Sequence, residues 1–82
     1  MNQTHQPPTD QAWQAFVARS GGTLDGVVSA IVPFGAFVRF GEGVDGLLPT
    51  AESKRSLSTG ERVSVRVLQL DDDRRRVSLQ QV

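Results

Sequence analysis

The sequence predicts an all-β fold, a small closed barrel of five strands preceded by one short N-terminal helix. From Leu24 onward, short stretches rich in Val and Ile are separated by turn residues, which is typical of consecutive antiparallel strands. Five such stretches are too few for two packed sheets, and closing them into a barrel removes exposed sheet edges. We therefore expect a flexible tail over residues 1–8, an amphipathic helix over 9–20 and the barrel over 22–82.

Composition limits the kind of protein that the chain can be. It has 82 residues, of which 38% are hydrophobic and 22% charged, values that suit one small globular domain with a modest core. It has no cysteine, and no apolar run reaches the length of a membrane span. We therefore expect a cytoplasmic monomer without membrane association. Nine basic residues balance nine acidic ones, so any nucleic-acid site must be a local concentration of charge.

The N-terminal part separates into a tail and a helix. The tail contains the only histidine and ends in two prolines, and it has nothing to bury. Thr9 or Asp10 can cap a helix that runs to Arg19 and stops before a glycine pair. A helix of about ten residues is marginal alone, so we expect its apolar stripe to plug one end of the barrel, with docking of a protein partner as the alternative. The stripe consists of Trp13, Phe16 and Val17.

Two antiparallel strands open the barrel. The first covers residues 24–32 and the second residues 36–40, and a turn at 33–35 joins them. Because strand side chains alternate between faces, Phe37 and Arg39 share the outer face of the second strand. A large aromatic ring and a guanidinium group are thus expected to face solvent together.

Three further strands follow. Residues 44–48 form a short strand in which Gly46 indicates a close backbone approach. In the next strand, three valines alternate with Arg and Ser, and the break in alternation at Leu68 predicts a bulge. A charged turn over 71–75 leads to the last strand at 76–79.

Six short blocks of sequence follow one another through the predicted barrel. They are G-V-V at 26–28, P-F-G-A-F-V at 33–38, G-L-L-P at 46–49, G-E-R-V at 60–63, V-R-V-L at 65–68 and R-V-S-L at 76–79. In this order they resemble the S1 RNA-binding domain, the OB-fold module named after the large RNA-binding protein of the bacterial small ribosomal subunit. The resemblance implies an OB-fold barrel over residues 22–82 that binds RNA on its second and third strands and the adjoining loops.

The resemblance also implies which residues contact RNA. Phe34 and Phe37 match the family's two stacking aromatics, and Asp71 and Arg76 match an acidic and a basic position beside the last turn. Alternation supports the outward direction of Phe37, whereas Phe34 lies in a turn and by itself fits the core equally well. Asp71 could accept hydrogen bonds from a base edge or orient Arg76. With the arginines expected to point outward, the candidate RNA-binding residues are Phe34, Phe37, Arg39, Arg66, Asp71 and Arg76.

Two residues depart from the family's pattern. Pro49 stands where the family commonly has a histidine, so one stacking or hydrogen-bonding group is missing. Arg75 stands where the last turn usually has a glycine, at a position that favours positive φ. Residues 72–75 are otherwise expected to neutralise one another within the turn.

The expected function is that of a non-catalytic module for single-stranded RNA, messenger or ribosomal, with low sequence selectivity and a link to translation or RNA processing. No catalytic residue, metal site or cofactor is expected, because the acidic cluster adjoins arginines and lacks the spacing of a calcium loop. The alternative is a protein-interaction module on the same barrel that has lost RNA affinity and docks through the helix. Zero net charge and Pro49 would permit it.

Overall fold

The computed structural model describes residues 8–82, and over this part of the chain it is a barrel with one α-helix at its end. The predicted tail lies outside the described residues except for Pro8. The elements are α1 (Asp10–Ala18), β1 (Thr23–Val32), β2 (Gly35–Arg39), β3 (Asp45–Pro49), a 3-10 helix (Thr50–Glu52), β4 (Arg62–Asp71) and β5 (Arg76–Gln81). The strands close in the order β1-β2-β3-β5-β4. The predicted five-stranded OB-fold barrel with a short N-terminal helix is therefore confirmed.

Four of the five strand pairings in the barrel are antiparallel. The fifth is the parallel contact of β3 with β5, where Leu47 is opposite Ser78. The register of β4 on β5 shifts between Val67 and Gln69, which is the bulge predicted at Leu68. A second shift in β1, around Ser29, was not predicted. Bulges increase the local bend and twist of a strand, and here they lie in the two ten-residue strands.

The barrel interior is filled by side chains from alternate positions of every strand. The fully buried ones include Val28, Val38, Leu48, Val65 and Leu79. A Cβ atom at Gly46 would lie 2.8 Å from Cδ1 of Leu79, so the close approach predicted at this glycine is present. In β2, alternation therefore predicted correctly that Phe37 and Arg39 lie on the face opposite the buried Val38.

Helix α1 closes one end of the barrel, as predicted. Thr9 is its N-cap, and its hydroxyl accepts a hydrogen bond from the Ala12 amide at 3.1 Å. Trp13 and Phe16 are 2% and 0% exposed, and the Phe16 ring centroid lies 5.0 Å from that of Phe40. The alternative of a docking stripe is wrong for Trp13 and Phe16, because they pack into the core. Val17 is half-buried against the same core.

A bidentate ion pair fixes the C-terminal end of α1 to the turn between β2 and β3. Arg19 donates two hydrogen bonds to the Glu42 carboxylate, at 2.5 and 2.8 Å. Its guanidinium carbon also lies 5.8 Å from the Phe16 centroid and 6.0 Å from that of Phe40. The hydrogen bonds from Arg19 lower the pKa of Glu42 from its ordinary value. The Arg19 guanidinium group therefore lies beside the Phe16 and Phe40 rings, at the end of the barrel that α1 closes.

Candidate nucleic-acid interface

An open groove of about 690 Å³ lies on the outside of the barrel, beside the β4–β5 turn (residues 72–75). We call it the aromatic groove. Its apolar lining comes mainly from the outer faces of β1, β2 and β3, and its charged lining comes mainly from the β4–β5 turn and the start of β5. The lining residues used below are Phe34, Phe37, Asp45, Leu47, Arg74, Arg75 and Arg76.

Two phenylalanine rings form the apolar part of the groove. Phe37 is half-buried on β2, in register with Ala30 of β1 and Leu47 of β3. Phe34 lies in the β1–β2 turn and is 59% exposed. The ring centroids are 6.5 Å apart and the ring planes meet at 86°. Because the rings are perpendicular, one flat base cannot stack on both, so each ring offers a separate stacking surface.

Arg39 is held by a carboxylate at the edge of the groove. It donates two hydrogen bonds to Asp45, at 2.8 and 2.9 Å, and these bonds raise the pKa of Arg39 from its ordinary value. Two of its guanidinium nitrogens are therefore already engaged. The pair also neutralises the acidic side chain that lines the groove.

Arg76 and Asp71 face each other where β4 and β5 meet. They are opposite in the strand register, and the exposed Arg76 lines the groove. The Asp71 carboxylate accepts a hydrogen bond from the Arg74 amide at 3.2 Å. The hydrogen bond observed for Asp71 therefore stabilises the turn, and no side-chain bond joins Asp71 to Arg76 among the described residues.

Arg66 and Pro49 lie apart from the groove lining. Arg66 is exposed on β4, opposite Thr23 of β1 and Gln80 of β5. Pro49 is half-buried at the end of β3. The structure thus brings Phe34, Phe37 and Arg76 together and leaves Arg66 on another face of the barrel.

The β4–β5 turn adds two arginines that sequence reasoning did not include in the site. The expectation that its charges neutralise one another is wrong for Asp72 and Arg75, because both contact α1. Asp72 accepts a hydrogen bond from Nε1 of Trp13 at 2.7 Å, and Arg75 donates one to Asp10 at 2.5 Å. Arg75 has a φ of 56°, which agrees with the expectation of a positive-φ position.

The arginines in and beside the groove differ in whether they form an ion pair. Arg74 and Arg76 make no ion pair with the residues described here, whereas Arg39 and Arg75 each have a carboxylate partner. A run of three arginines was the only signal in the sequence for Arg74 and Arg75, and alternation cannot assign a direction to turn residues. The groove lining therefore contains three arginines and one aspartate in a chain of zero net charge.

Residues 8–82 contain neither a candidate metal site nor a candidate membrane-spanning helix. No three His, Cys, Asp or Glu side chains in this range come close enough together to hold a metal ion. No helix in this range is long and apolar enough to cross a membrane.

Comparison with known proteins identifies relatives of most of this chain. The family model named S1 RNA binding domain matches residues 18–80. Small ribosomal subunit protein bS1 of Chlamydia trachomatis is 40% identical over 67 residues, covering 72% of this chain and 12% of that protein. The protein of the same name from Mycolicibacterium smegmatis is 45% identical over 80 residues, covering 85% and 17%. The chain therefore spans less than a fifth of these relatives.

A solved structure has the same architecture. Protein MJ1198 of Methanocaldococcus jannaschii superimposes with a TM-score of 0.70 at 25% sequence identity, and the match covers 78% of this chain and 92% of that one.

Helix α1 begins at Asp10 and ends at Ala18, so nearly all of it lies before the first residue matched by the family model.

Proposed function

Because the chain belongs to the S1 RNA-binding domain family, we propose that it binds single-stranded RNA in the aromatic groove. One observation carries this proposal: exposed aromatic surface lines the same groove as Arg74 and Arg76, which have no carboxylate partner within residues 8–82. Single-stranded RNA presents both unstacked base faces and phosphates, and it needs these two kinds of partner close together.

Stacking on Phe37 and Phe34 supplies the part of the affinity that does not depend on charge. A base stacked on an aromatic side chain contributes about 1–3 kcal/mol, and every base has a face that can stack. The perpendicular rings would receive two bases in different orientations, with the backbone bent between them. Low sequence selectivity follows, because stacking does not read the hydrogen-bonding edges of a base.

Arginines provide the phosphate contacts of the proposed complex. Arg74 and Arg76 have no ion pair with the described residues, so their guanidinium groups can bind phosphate without breaking one. Arg39 is held by Asp45, and we propose that it offers the face of its guanidinium plane for stacking. Of the residues proposed from sequence, Arg66 lies outside this set, and Asp71 supports the turn.

The proposed setting comes from the relatives. Two of them are named small ribosomal subunit protein bS1, which supports a cytoplasmic module that contacts messenger or ribosomal RNA during translation or RNA processing. We propose that the chain acts without catalysing a reaction and binds as a monomer. The rival function, docking of a protein through the helix stripe, loses its surface because Trp13 and Phe16 are buried.

Binding of a fluorescently labelled single-stranded oligoribonucleotide at several salt concentrations tests the proposal. With the two phosphate contacts proposed for Arg74 and Arg76, the plot of log affinity against log salt should have a slope of about −1.4. A duplex of the same sequence is the control, and it should bind more weakly because its bases are already stacked. Absence of binding at low salt would overturn the proposed function.

A further inference from the structure

The β4–β5 turn has a backbone conformation that needs support. Arg75 adopts a φ of 56°, which a residue with a Cβ atom adopts at a cost of about 1–2 kcal/mol. Within the described segment 71–75, the one side-chain hydrogen bond between its own residues is that from the Arg74 amide to Asp71, at 3.2 Å. A short exposed turn with a strained residue and a single internal bond of this kind is expected to sample several conformations unless other contacts hold it.

Helix α1 supplies those contacts at both ends of the turn. At the first residue, Asp72 accepts the hydrogen bond from Trp13 Nε1. At the last, Arg75 pairs with Asp10, and its guanidinium carbon lies 5.7 Å from the Trp13 ring centroid. Trp13 is 2% exposed and lies 6.1 Å from the Phe16 ring, so its indole is fixed in the core before it meets the turn.

The same turn forms the basic part of the aromatic groove. Arg74 and Arg75 line the groove together with Arg76, and so does Pro8, which precedes the N-cap of α1. The direction in which these guanidinium groups point therefore depends on where the turn is held. The distance between the guanidinium groups and the phenylalanine rings decides whether one RNA strand can contact the arginines and the rings at the same time.

We infer that Trp13 and Asp72 are positioning residues for RNA binding: helix α1 holds the β4–β5 turn so that its arginines face the phenylalanine rings of the aromatic groove. This inference rests on the proposed function and adds to it a second role for a helix that also plugs the barrel. The positioning hydrogen bond starts at Trp13, in a segment that the family model does not match.

Three variants with the same change of charge separate positioning from electrostatics. Asp72→Asn keeps a side-chain oxygen that accepts from Trp13 Nε1, whereas Asp72→Ala removes it. Asp73→Ala is the matched control, because Asp73 is exposed and makes no hydrogen bond or ion pair with the described residues. Each variant removes one negative charge near the groove, and charge alone predicts the same gain in RNA affinity for all three.

Positioning predicts that Asp72→Ala binds single-stranded RNA about fivefold more weakly than Asp72→Asn, the usual effect of losing one hydrogen bond. Asp73→Ala should match Asp72→Asn. If the wild-type protein binds RNA and the two Asp72 variants bind it with equal affinity, the inference is overturned and the proposed function stands. A wild-type protein without RNA affinity would overturn both.

NMR spectra without RNA provide a second readout that a change in overall stability does not mimic. The indole N–H signal of Trp13 should move further in Asp72→Ala, which has no acceptor, than in Asp72→Asn, which keeps one. Heteronuclear NOE values for residues 72–75 should fall only in Asp72→Ala, with thermal melting recorded alongside. Unchanged NOE values in Asp72→Ala would contradict the role of the helix in ordering the turn, whatever the RNA affinities are.

Discussion

At the scale of single residues, the two phenylalanines of the groove have different environments. Phe37 is half-buried between Ala30 and Leu47, so neighbouring strands fix its ring. Phe34 is 59% exposed in a turn, and its ring meets that of Phe37 edge to face. A fixed ring loses less conformational entropy on stacking than an exposed one. We therefore expect Phe37 to contribute more to RNA binding than Phe34.

Replacing Phe37 with leucine tests this difference, because leucine keeps apolar volume on β2 and removes the aromatic face. We expect Phe37→Leu to weaken binding of single-stranded RNA by about 1–3 kcal/mol, the value of one stacked base. Phe34→Leu should have a smaller effect in the same titration. Leu68→Ala is the control, since Leu68 is exposed on β4 outside the groove. Wild-type affinity in Phe37→Leu would show that bases stack elsewhere.

Arg76 and Arg66 form a second pair for comparison, because both are exposed arginines and only Arg76 lines the groove. Arg76→Gln should lower the RNA affinity and make the log–log salt slope less negative by about 0.7, the value for one phosphate contact on a single strand. Arg66→Gln should leave both quantities near those of the wild type. Titrations at four salt concentrations measure both. Equal losses in the two variants would place RNA across both faces of the barrel.

At the scale of elements, α1 joins two turns to the barrel core. Arg19 at its C-terminal end pairs with Glu42 in the β2–β3 turn, and Trp13 and Asp10 contact the β4–β5 turn. Between them, Phe16 enters the core against Phe40. A nine-residue helix has little stability alone, so α1 exists because of the surface on which it lies.

Truncation of Phe16 tests the contribution of α1 to the stability of the barrel. Phe16 is 0% exposed, and Phe16→Ala should lower the free energy of unfolding by about 3–5 kcal/mol, from lost burial and the cavity that remains. Urea denaturation followed by circular dichroism measures the loss. Gln14→Ala, on the exposed face of the same helix, should change stability little. A similar small change in Phe16→Ala would mean that the plug is dispensable.

The ion pair between α1 and the β2–β3 turn should make stability depend on pH. The pKa of Glu42 is lowered in the folded state by hydrogen bonds from Arg19, so folding favours the ionised carboxylate. Its stabilising contribution is present above the ordinary value of 4.5 and is lost as the pH falls through the lowered folded pKa. Because Arg19 is partly exposed, the contribution should be about 0.2–1 kcal/mol.

Glu42→Gln isolates this contribution. At pH 7 the variant should unfold at a slightly lower temperature than the wild type, and the difference should disappear in acid once Glu42 is protonated in the folded state. Thermal melting at a series of pH values from neutral to acid measures both curves. A difference that stays constant over the whole range would assign the effect to packing of the side chain and not to its charge.

At the scale of the whole molecule, the barrel depends on one short parallel contact for closure. Leu47 of β3 meets Ser78 of β5 there, and the neighbouring Gly46 allows the Leu79 side chain to lie against the backbone of β3. Leu79 is 0% exposed. Close packing of Leu79 on Gly46 therefore supports the contact of β3 with β5 that closes the barrel.

Gly46→Ala should strain this closure. The new Cβ atom would stand 2.8 Å from Leu79 Cδ1, so the leucine must move, and overpacking of this kind typically costs about 1–3 kcal/mol. Gly41→Ala is the control, because a Cβ atom at Gly41 has no neighbour within 4 Å. Thermal melting compares the two. Equal melting temperatures would show that the contact of β3 with β5 accommodates a methyl group without loss of stability.

The sequence by itself determined the five strands of the barrel, the outer face of β2, the helix and the bulge at Leu68. These features depend on patterns along the chain: alternation determines which side chains can be buried together, and caps and glycines mark where elements end. The same reasoning predicted the outward direction of Phe37, whereas the positive φ at Arg75 was implied by the glycine that the S1 family usually has in the last turn. The resemblance to the S1 family supplied Phe34, whose position in a turn leaves its direction undetermined by alternation.

Only the tertiary structure decided which charged residues meet. Arg66 has the same alternation as other outward arginines, and barrel closure placed it on a different face from Arg76. Asp72 and Arg75, each two positions from an opposite charge in the sequence, instead contact Trp13 and Asp10, more than fifty residues away. Side chains in turns follow no periodicity, and their partners depend on which elements the fold brings beside them. The rings of Phe34 and Phe37 therefore share the aromatic groove with the arginines of the β4–β5 turn, an arrangement that alternation along the chain could not predict.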